Sequence, residues 1–232
     1  MEDWLNFAKG PLFTVTFLIM ILGLFRLASI QIYSLFITKG RRLKNAPWKN
    51  IFSDLSTWML PVKHLIKGTI LFSLVSFIFH ITAILVTLFL IDHIVLWEKY
   101  IGIDLPAIGR VLADVLTLIT IGCILILLYC RIFVPRQRAM SQKMDYVLLI
   151  MVLLPFLFGY LAGHPNLNPL PWQTMMLLHI VSAEALFIVI PFTKLAHIVL
   201  YIFDRFSALH WQLKPGAGDK VAEALFGKEA KV

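Results

Sequence analysis

Long apolar runs separated by short polar stretches dominate the pattern of residues along the chain. A helix needs about 20 apolar residues to cross a hydrocarbon core roughly 30 Å thick, because each residue adds about 1.5 Å. Five runs approach or exceed that length, and they cover residues 12–38, 68–91, 111–134, 146–162 and 173–203. The pattern therefore predicts an all-α polytopic membrane protein built as a bundle of five transmembrane helices.

The composition agrees with a membrane location and excludes other classes of protein. Apolar residues make up 59% of the chain, charged residues make up 15%, and the mean hydropathy is +0.84. A soluble domain carries roughly 45–50% apolar and about 25% charged residues. The shortage of charge excludes both a soluble enzyme and an intrinsically disordered protein. Because no removable signal segment precedes the first run, we expect the first helix to be retained.

Basic residues concentrate on one side of the predicted membrane. Lys and Arg are frequent between the first and second runs and between the third and fourth, whereas the 163–172 loop has none. Loops rich in Lys and Arg stay in the cytoplasm, so we expect an outside N-terminus. A membrane domain of residues 1–204 is then followed by a cytoplasmic tail, 205–232. This topology explains the net charge of +8, and we expect the lipid bilayer, not nucleic acid, as a partner.

Two histidines of the fifth run have the spacing of one helix face. His179 and His197 are 18 residues apart, which on a continuous helix is five turns and about 27 Å along the axis. Ionisable groups are costly at membrane depth, so each is a functional candidate. Two imidazoles near opposite membrane surfaces suit the axial ligands of two haems. Without a C-x-x-C-H motif these would be non-covalent b-type haems enclosed by the bundle.

The second run supplies candidate partners for both histidines. Antiparallel helices would pair His80 with His197 on the cytoplasmic side and His93 with His179 on the outer side. The 13 residues between His80 and His93 rotate the rings about 140° apart on an ideal helix, so a kink, a bulge or differently angled haems would have to absorb the difference. A rival arrangement pairs His64 with His197 and His80 with His179, with a rotation of about 160°. Spacing leaves both pairings open, beside the alternative of isolated histidines hydrogen-bonded between helices.

Several segments resemble a known family. The segment PFTKLAH, residues 191–197, with His179 before it, resembles the last helix of the cytochrome b (gamma) subunit of respiratory nitrate reductases. A closer resemblance, over nearly the whole chain, is to the cytochrome b subunit of Tmc-type transmembrane redox complexes of sulfate-respiring bacteria. It includes the His80–His93 spacing within FHITAILVTLFLIDHIVLW and the stretches LPAIGRVLADVLTL and LLHIVSAE.

The resemblance implies a di-haem electron-transfer subunit in the cytoplasmic membrane of a bacterium or archaeon. It selects His80 and His93 over His64, so that His93 and His179 hold the outer haem while His80 and His197 hold the inner one. It also implies electron transfer between an outer donor and a cytoplasmic iron–sulfur subunit. The outer donor would be a quinol, such as menaquinol, or a periplasmic multihaem cytochrome c. The terminal reaction would belong to another subunit.

Four other polar residues are candidates for supporting roles. Haem propionates need cations, and Arg26 and Lys194 lie where they could serve the inner haem, unless they extend to the lipid headgroups instead. His164, in the GHPNLNPLPW loop, and Glu184, inside the fifth run, are candidates for quinone or proton handling. The alternatives are a surface histidine and a helix–helix contact.

A competing hypothesis comes from another functional class. A haem-free membrane anchor or a small transporter could use the same histidines to bind a metal or a proton. The sequence leaves open the direction of electron flow and whether the chain itself oxidises a quinol or reduces a quinone.

Overall fold

The computed structural model describes residues 1–39 and 70–208, together with the isolated residues 49, 52 and 223. Within these ranges 87% of the residues are helical and no strand forms, so the prediction of an all-α chain is confirmed. The alternative ligand His64 lies outside the described residues. So does the predicted tail beyond residue 208, apart from residue 223.

Nine α-helices and three short irregular helical segments follow one another along the described residues. The α-helices are α1 (Glu2–Phe7), α2 (Phe13–Lys39), α3 (Ile70–Phe89), α4 (Ile91–Ile101), α5 (Arg110–Phe133), α6 (Pro135–Ala139), α7 (Lys143–Gly163), α8 (Trp172–Val189) and α9 (His197–Ala208). A π-helical turn, Ala8–Leu12, joins α1 to α2, and 3-10 turns at Ile190–Phe192 and Lys194–Ala196 stand between α8 and α9.

Five helical stretches of the described residues are long and apolar enough to cross a membrane. They are Glu2–Ser34, Leu71–Phe89, Arg110–Phe133, Lys143–Gly163 and Trp172–Phe192. Many large apolar side chains along them are exposed, as the lipid-facing surface of a membrane helix requires. The predicted number of helices long and apolar enough to cross a membrane is confirmed in the described residues.

The chain divides into two compact units, and each is described by itself. In the described residues the first unit comprises 1–17 and 70–188, and the second comprises 18–39 and 189–208. In the first unit α3 packs on α5, and α5 packs on α7. The Thr120 hydroxyl donates to the Thr82 hydroxyl over 2.8 Å, and both side chains are buried. This bond between α5 and α3 gives two polar groups a partner away from water.

The second predicted span is interrupted before it reaches His93. α3 ends at Phe89, Leu90 takes an extended backbone conformation with ψ 132°, and α4 begins at Ile91. The Ile108 N–H donates to the Phe89 carbonyl over 2.9 Å, so the 102–109 loop supports the break. α4 ends at Gly102, whose φ of +72° suits a residue without a side chain. A bend, one of the ways in which the His80–His93 spacing could be accommodated, is therefore present at Leu90.

The fifth predicted span is not one continuous helix. α8 ends at Val189, and the following turn contains Pro191, which has no backbone N–H to continue a helix. Thr193 is extended, with φ −131° and ψ −175°, before the second 3-10 turn leads into α9. The prediction of five unbroken turns between His179 and His197 is therefore wrong, and the axial separation of about 27 Å derived from it does not apply.

Candidate functional site

Of the predicted ligands, the structure brings His93 and His179 together. Their ring centroids are 6.1 Å apart, and the ring planes are inclined by only 7°. His93 belongs to α4 and His179 to α8, and both helices lie in the first unit. Two imidazoles from separate helices therefore face one small region.

The position of the His179 ring depends on α7. Its Nδ1 lies 2.8 Å from the carbonyl oxygen of Pro155, and because a carbonyl only accepts, Nδ1 carries the hydrogen. Gly159 follows one turn later on the same face of α7. A Cβ atom at Gly159 would lie 2.8 Å from Nδ1 and 2.9 Å from Cε1 of His179. The missing side chain is what allows the ring to reach the Pro155 carbonyl.

The position of the His93 ring depends on the break at Leu90. Its Nδ1 lies 3.1 Å from the Thr87 carbonyl oxygen and 3.3 Å from that of Val86, in the last turn of α3. The Trp97 indole N–H also donates to the Thr87 carbonyl, over 3.3 Å. The last carbonyls of a helix lack partners within it. Two side chains of α4 therefore complete the hydrogen bonding of α3, and one of them is the predicted ligand.

The protonation state of His93 suits a metal ligand. Burial lowers the pKa of His93 below its ordinary value, while its hydrogen bonds to Val86 and Thr87 and the charge of Asp92 act in the opposite direction. The ring is then neutral near pH 7. With the hydrogen on Nδ1, the lone pair on Nε2 is free to bind a metal ion, and the carbonyl bond fixes this tautomer.

The separation of the two rings can be compared with that of two axial haem ligands. A metal–nitrogen bond of about 2.0 Å, added to roughly 1.1 Å from nitrogen to ring centre, places two opposed imidazole centroids about 6 Å apart. The centroids of His93 and His179 have that separation. In the part of the chain that the structure describes, no group of three His, Cys, Asp or Glu residues could hold an ion alone. A haem leaves two axial positions for protein ligands, which is the number that this pair could supply.

An aromatic cluster connects the helices that carry these histidines. Phe13 and Phe17 of α2 stack on each other, contact Tyr100 of α4 and meet Phe187 of α8 edge-on, with centroids 4.8 to 6.3 Å apart. Phe17 also contacts Trp97, the residue bonded to Thr87. The beginning of α2 thereby helps hold α4 and α8 in place.

The other two predicted ligands are exposed and bonded locally. His80 lies in α3 with Nδ1 2.7 Å from the Ser76 carbonyl oxygen, and its ring meets Phe79 edge-on at 4.8 Å. His197 is the first residue of α9, and its Nδ1 lies 2.8 Å from the Lys194 carbonyl oxygen. The two residues belong to different units, and the pairing of His80 with His197 stays a prediction.

The supporting candidates lie in different surroundings. Arg26, in α2, and Lys194 have exposed side chains, and their contacts with propionates stay predictions. Glu184 is 2% exposed, and neither of its carboxyl oxygens has a hydrogen-bond partner among the described residues. Its predicted role in proton or quinone handling and the alternative of a helix–helix contact both stay open.

His164 has a partner that the sequence did not indicate. Its Nδ1 lies 2.8 Å from the Tyr160 carbonyl oxygen, its ring stacks on the Tyr160 ring at 4.1 Å, and its Nε2 lies 3.5 Å from the Asp114 carboxylate. His164 therefore links the C-terminal end of α7 to α5. Its proposed part in quinone or proton handling stays a prediction.

Sequence reasoning missed Pro155 and Gly159 as residues of the site. The available signal was Gly159, because a glycine in a membrane helix allows a neighbouring group to approach the helix closely. That signal indicates a helix face on which another group can pack closely, but it does not identify the group. Only the packing of α8 on α7 shows that the neighbour is His179.

Comparison with known proteins gives one relative without a functional description. The chain is 38% identical over 134 residues to a protein of Nitratidesulfovibrio vulgaris strain Hildenborough, a sulfate reducer. The match covers 58% of this chain and 58% of the relative, so the chain spans little more than half of that relative's length. No family model matches the chain, and no solved structure matches it.

Proposed function

We propose that this chain is a di-haem cytochrome b, the membrane electron-transfer subunit of a respiratory redox complex. The observation that carries the proposal is the pair formed by His93 and His179. Their centroid separation of 6.1 Å and the carbonyl bond on each Nδ1 support a role as the two axial ligands of one b-type haem.

In this proposal the chain binds and orients the cofactors, and the haems supply one-electron transfer when bound. His93 and His179 would hold the outer haem through Nε2. His80 and His197 would hold the inner haem, and their support is the sequence resemblance together with the Nδ1–carbonyl bond of each ring. Arg26 and Lys194 are the proposed propionate contacts.

The proposed partners lie on both sides of the membrane. Electrons would pass between an outer donor, either a quinol such as menaquinol or a multihaem cytochrome c, and a cytoplasmic iron–sulfur subunit. The concentration of Lys and Arg in two loops supports the proposed orientation, with an outside N-terminus and a cytoplasmic C-terminus. The location would be a bacterial or archaeal cytoplasmic membrane, in agreement with a sulfate-reducing relative.

The proposal is tested by counting haem in the purified chain. Full-length protein, extracted from membranes in mild detergent, should show a reduced b-type α-band and about two non-covalent haems per chain. His93→Ala and His179→Ala should each leave about one haem, because each removes one axial ligand of the same cofactor. His164→Ala is the matched control. This histidine follows the C-terminal end of α7, and its Nε2 lies 3.5 Å from the Asp114 carboxylate, so the variant should retain both haems.

Two results would change the proposal. Wild-type protein without haem, when expressed in a haem-sufficient host, would favour the competing hypothesis of a haem-free anchor or small transporter. Retention of both haems in His93→Ala would move the outer ligand to His80 and the inner one to His64. Reduction of the haems by a menaquinol analogue would favour a quinol donor, and its failure in protein with intact haem would favour a protein donor.

A further inference from the structure

We propose that α7, which supplies no haem ligand, sets the ring plane and the reduction potential of the outer site through Pro155 and Gly159. This inference rests on the proposed function and concerns a positioning role. The Pro155 carbonyl fixes the Nδ1 hydrogen of His179, and Gly159 provides the space in which the ring lies against α7. We refer to these two residues as the α7 seat.

The close approach at Gly159 distinguishes this glycine from Gly122 and Gly163. Real Cβ atoms essentially never come within 3.0 Å of a heavy atom of a residue that is not a chain neighbour, yet a Cβ at Gly159 would have two such contacts with the His179 ring. Gly122 in α5 and Gly163 at the end of α7 differ, because a Cβ at either would meet nothing within 4 Å. Glycine costs a helix interior roughly 1 kcal/mol relative to alanine, and at Gly159 the imidazole ring explains its presence.

The bond to Pro155 has an electronic consequence. A carbonyl that accepts the Nδ1 hydrogen raises the electron density on Nε2, which makes the imidazole a stronger donor to iron. A stronger donor stabilises ferric iron over ferrous iron and lowers the reduction potential. Displacing the ring from the Pro155 carbonyl should therefore raise the potential of the outer haem and leave that of the inner haem unchanged.

The α7 seat also sets the angle between the two ligand planes. The ring of His93 is fixed by the last turn of α3 and that of His179 by the seat, and the planes differ by 7°. In low-spin ferric haem, parallel imidazole planes separate the energies of two iron d orbitals and give a rhombic electron paramagnetic resonance spectrum. Perpendicular planes leave these orbitals nearly equal in energy and give one very large g value. We therefore expect a rhombic signal from the outer haem.

The test compares Gly159→Ala with Gly122→Ala and Gly163→Ala in full-length, haem-loaded protein. The outer signal is first identified as the one that His93→Ala removes. In Gly159→Ala we expect that signal to lose its rhombic shape and its midpoint potential to rise, with the inner signal unchanged. Loss of the outer haem alone would also support the α7 seat. The two control variants should match the wild type, because their added methyl groups meet open space.

Different results would overturn the inference and the proposed function. Two haems in Gly159→Ala with the wild-type outer spectrum and potential would overturn the α7 seat while leaving the di-haem proposal intact. Wild-type protein without haem would overturn both. If the Gly159→Ala protein does not accumulate in the membrane, the electron paramagnetic resonance spectrum of the wild type still tests the inference. A very large g value for the outer haem would contradict parallel ligand planes. Electron–nuclear double resonance on the wild type should also detect the exchangeable Nδ1 hydrogen of His179.

Discussion

The outer pair of candidate ligands and the inner pair are held by different kinds of contact. His179 is bonded to a carbonyl 24 residues away on another helix, and His93 is bonded across a break to carbonyls six and seven residues away. His80 and His197 are bonded to carbonyls only four and three residues away, within their own stretch of chain, and both are exposed. The carbonyl bonds of the outer rings therefore join distant parts of the chain, whereas those of the inner rings are local.

This difference indicates how much each site is organised before a cofactor binds. At the outer site, packing has already fixed the separation, tautomer and relative plane of two rings, so binding there needs little rearrangement. The carbonyl bonds of His80 and His197 fix the tautomer of each ring, but the place of either ring relative to the other depends on how the helices are arranged. The outer site should therefore tolerate changes elsewhere in the chain better than the inner ligands do.

The largest expected effect separates the two pairs by double substitution. If His93 and His179 share one haem, the variant lacking both should retain about one haem per chain, as either single variant does. A variant lacking His93 and His80 should retain none, because it removes one ligand from each haem. Haem content per chain, measured as the pyridine haemochrome, distinguishes these outcomes. Equal haem loss in the two double variants would remove the basis for assigning separate pairs.

Gly23 offers a steric test of the segment that precedes His197. A Cβ at Gly23 would lie 2.5 Å from Cβ and 2.8 Å from Cγ of Pro191, within the second unit. Gly23→Ala should displace the 190–196 turn and cost about 1–3 kcal/mol of unfolding free energy through overpacking. The inner haem signal should change while the outer signal stays as in the wild type.

Thermal unfolding in detergent measures the stability change in Gly23→Ala, and Gly122→Ala, where a Cβ meets open space, provides the control. If Gly23→Ala altered the outer haem signal and left the inner haem signal unchanged, the Pro191 turn would not act on the inner site as we expect.

Gly102 tests how far the position of His93 depends on the end of α4. Its φ of +72° is a conformation that an L residue adopts only with strain, so Gly102→Ala should cost about 1 kcal/mol. Gly109 has ordinary backbone angles and open space around its Cα, and Gly109→Ala should cost less. Differential scanning calorimetry of the detergent-solubilised protein makes the comparison. A loss of the outer haem in Gly102→Ala would show that the break at Leu90 alone does not hold His93.

The smallest expected effect concerns the packing of α3, which carries His80. Thr120→Val removes the hydrogen bond to Thr82 between α5 and α3 and should cost about 0.6 kcal/mol, the usual size of such bonds in membrane proteins. Thr117 is also buried but donates to Ala113 of its own helix, so Thr117→Val should cost less. Equal losses in a detergent unfolding titration would indicate that the bond between the helices contributes nothing of its own.

The sequence predicted the number of membrane-spanning helices but not every position at which they are interrupted. Five apolar runs predicted five membrane-crossing helices because burial in lipid depends mainly on length and composition. The His80–His93 spacing predicted a kink, a bulge or differently angled haems, and a bend lies at Leu90. The end of α8 was missed because Ile190–Phe192 continues the apolar run, and Pro191 alone was too weak a signal against that background. Membrane helices often contain proline without ending there, as α7 does at Pro155.

The close approach of His93 and His179 was harder to predict from the sequence than the membrane spans were. Residue spacing placed both at the outer end of antiparallel helices, but two pairings remained open. The choice depends on the packing of α8 against Gly159 and on the turn at Leu90. Both are contacts between distant residues, and a single sequence does not encode them as a local pattern.

If His93 binds haem as proposed, its hydrogen bond to α3 limits how the site could be redesigned. A haem held by one histidine and one methionine has a higher reduction potential. A methionine side chain, however, donates no hydrogen bond. At position 93 an exchange for methionine would leave the Thr87 carbonyl with only the indole of Trp97 as a side-chain donor. At position 80 the same exchange costs less, because the Ser76 carbonyl can accept the backbone N–H of residue 80 within α3. The reduction potential should therefore be easier to change by replacing the ligand at position 80 than by replacing the ligand at position 93.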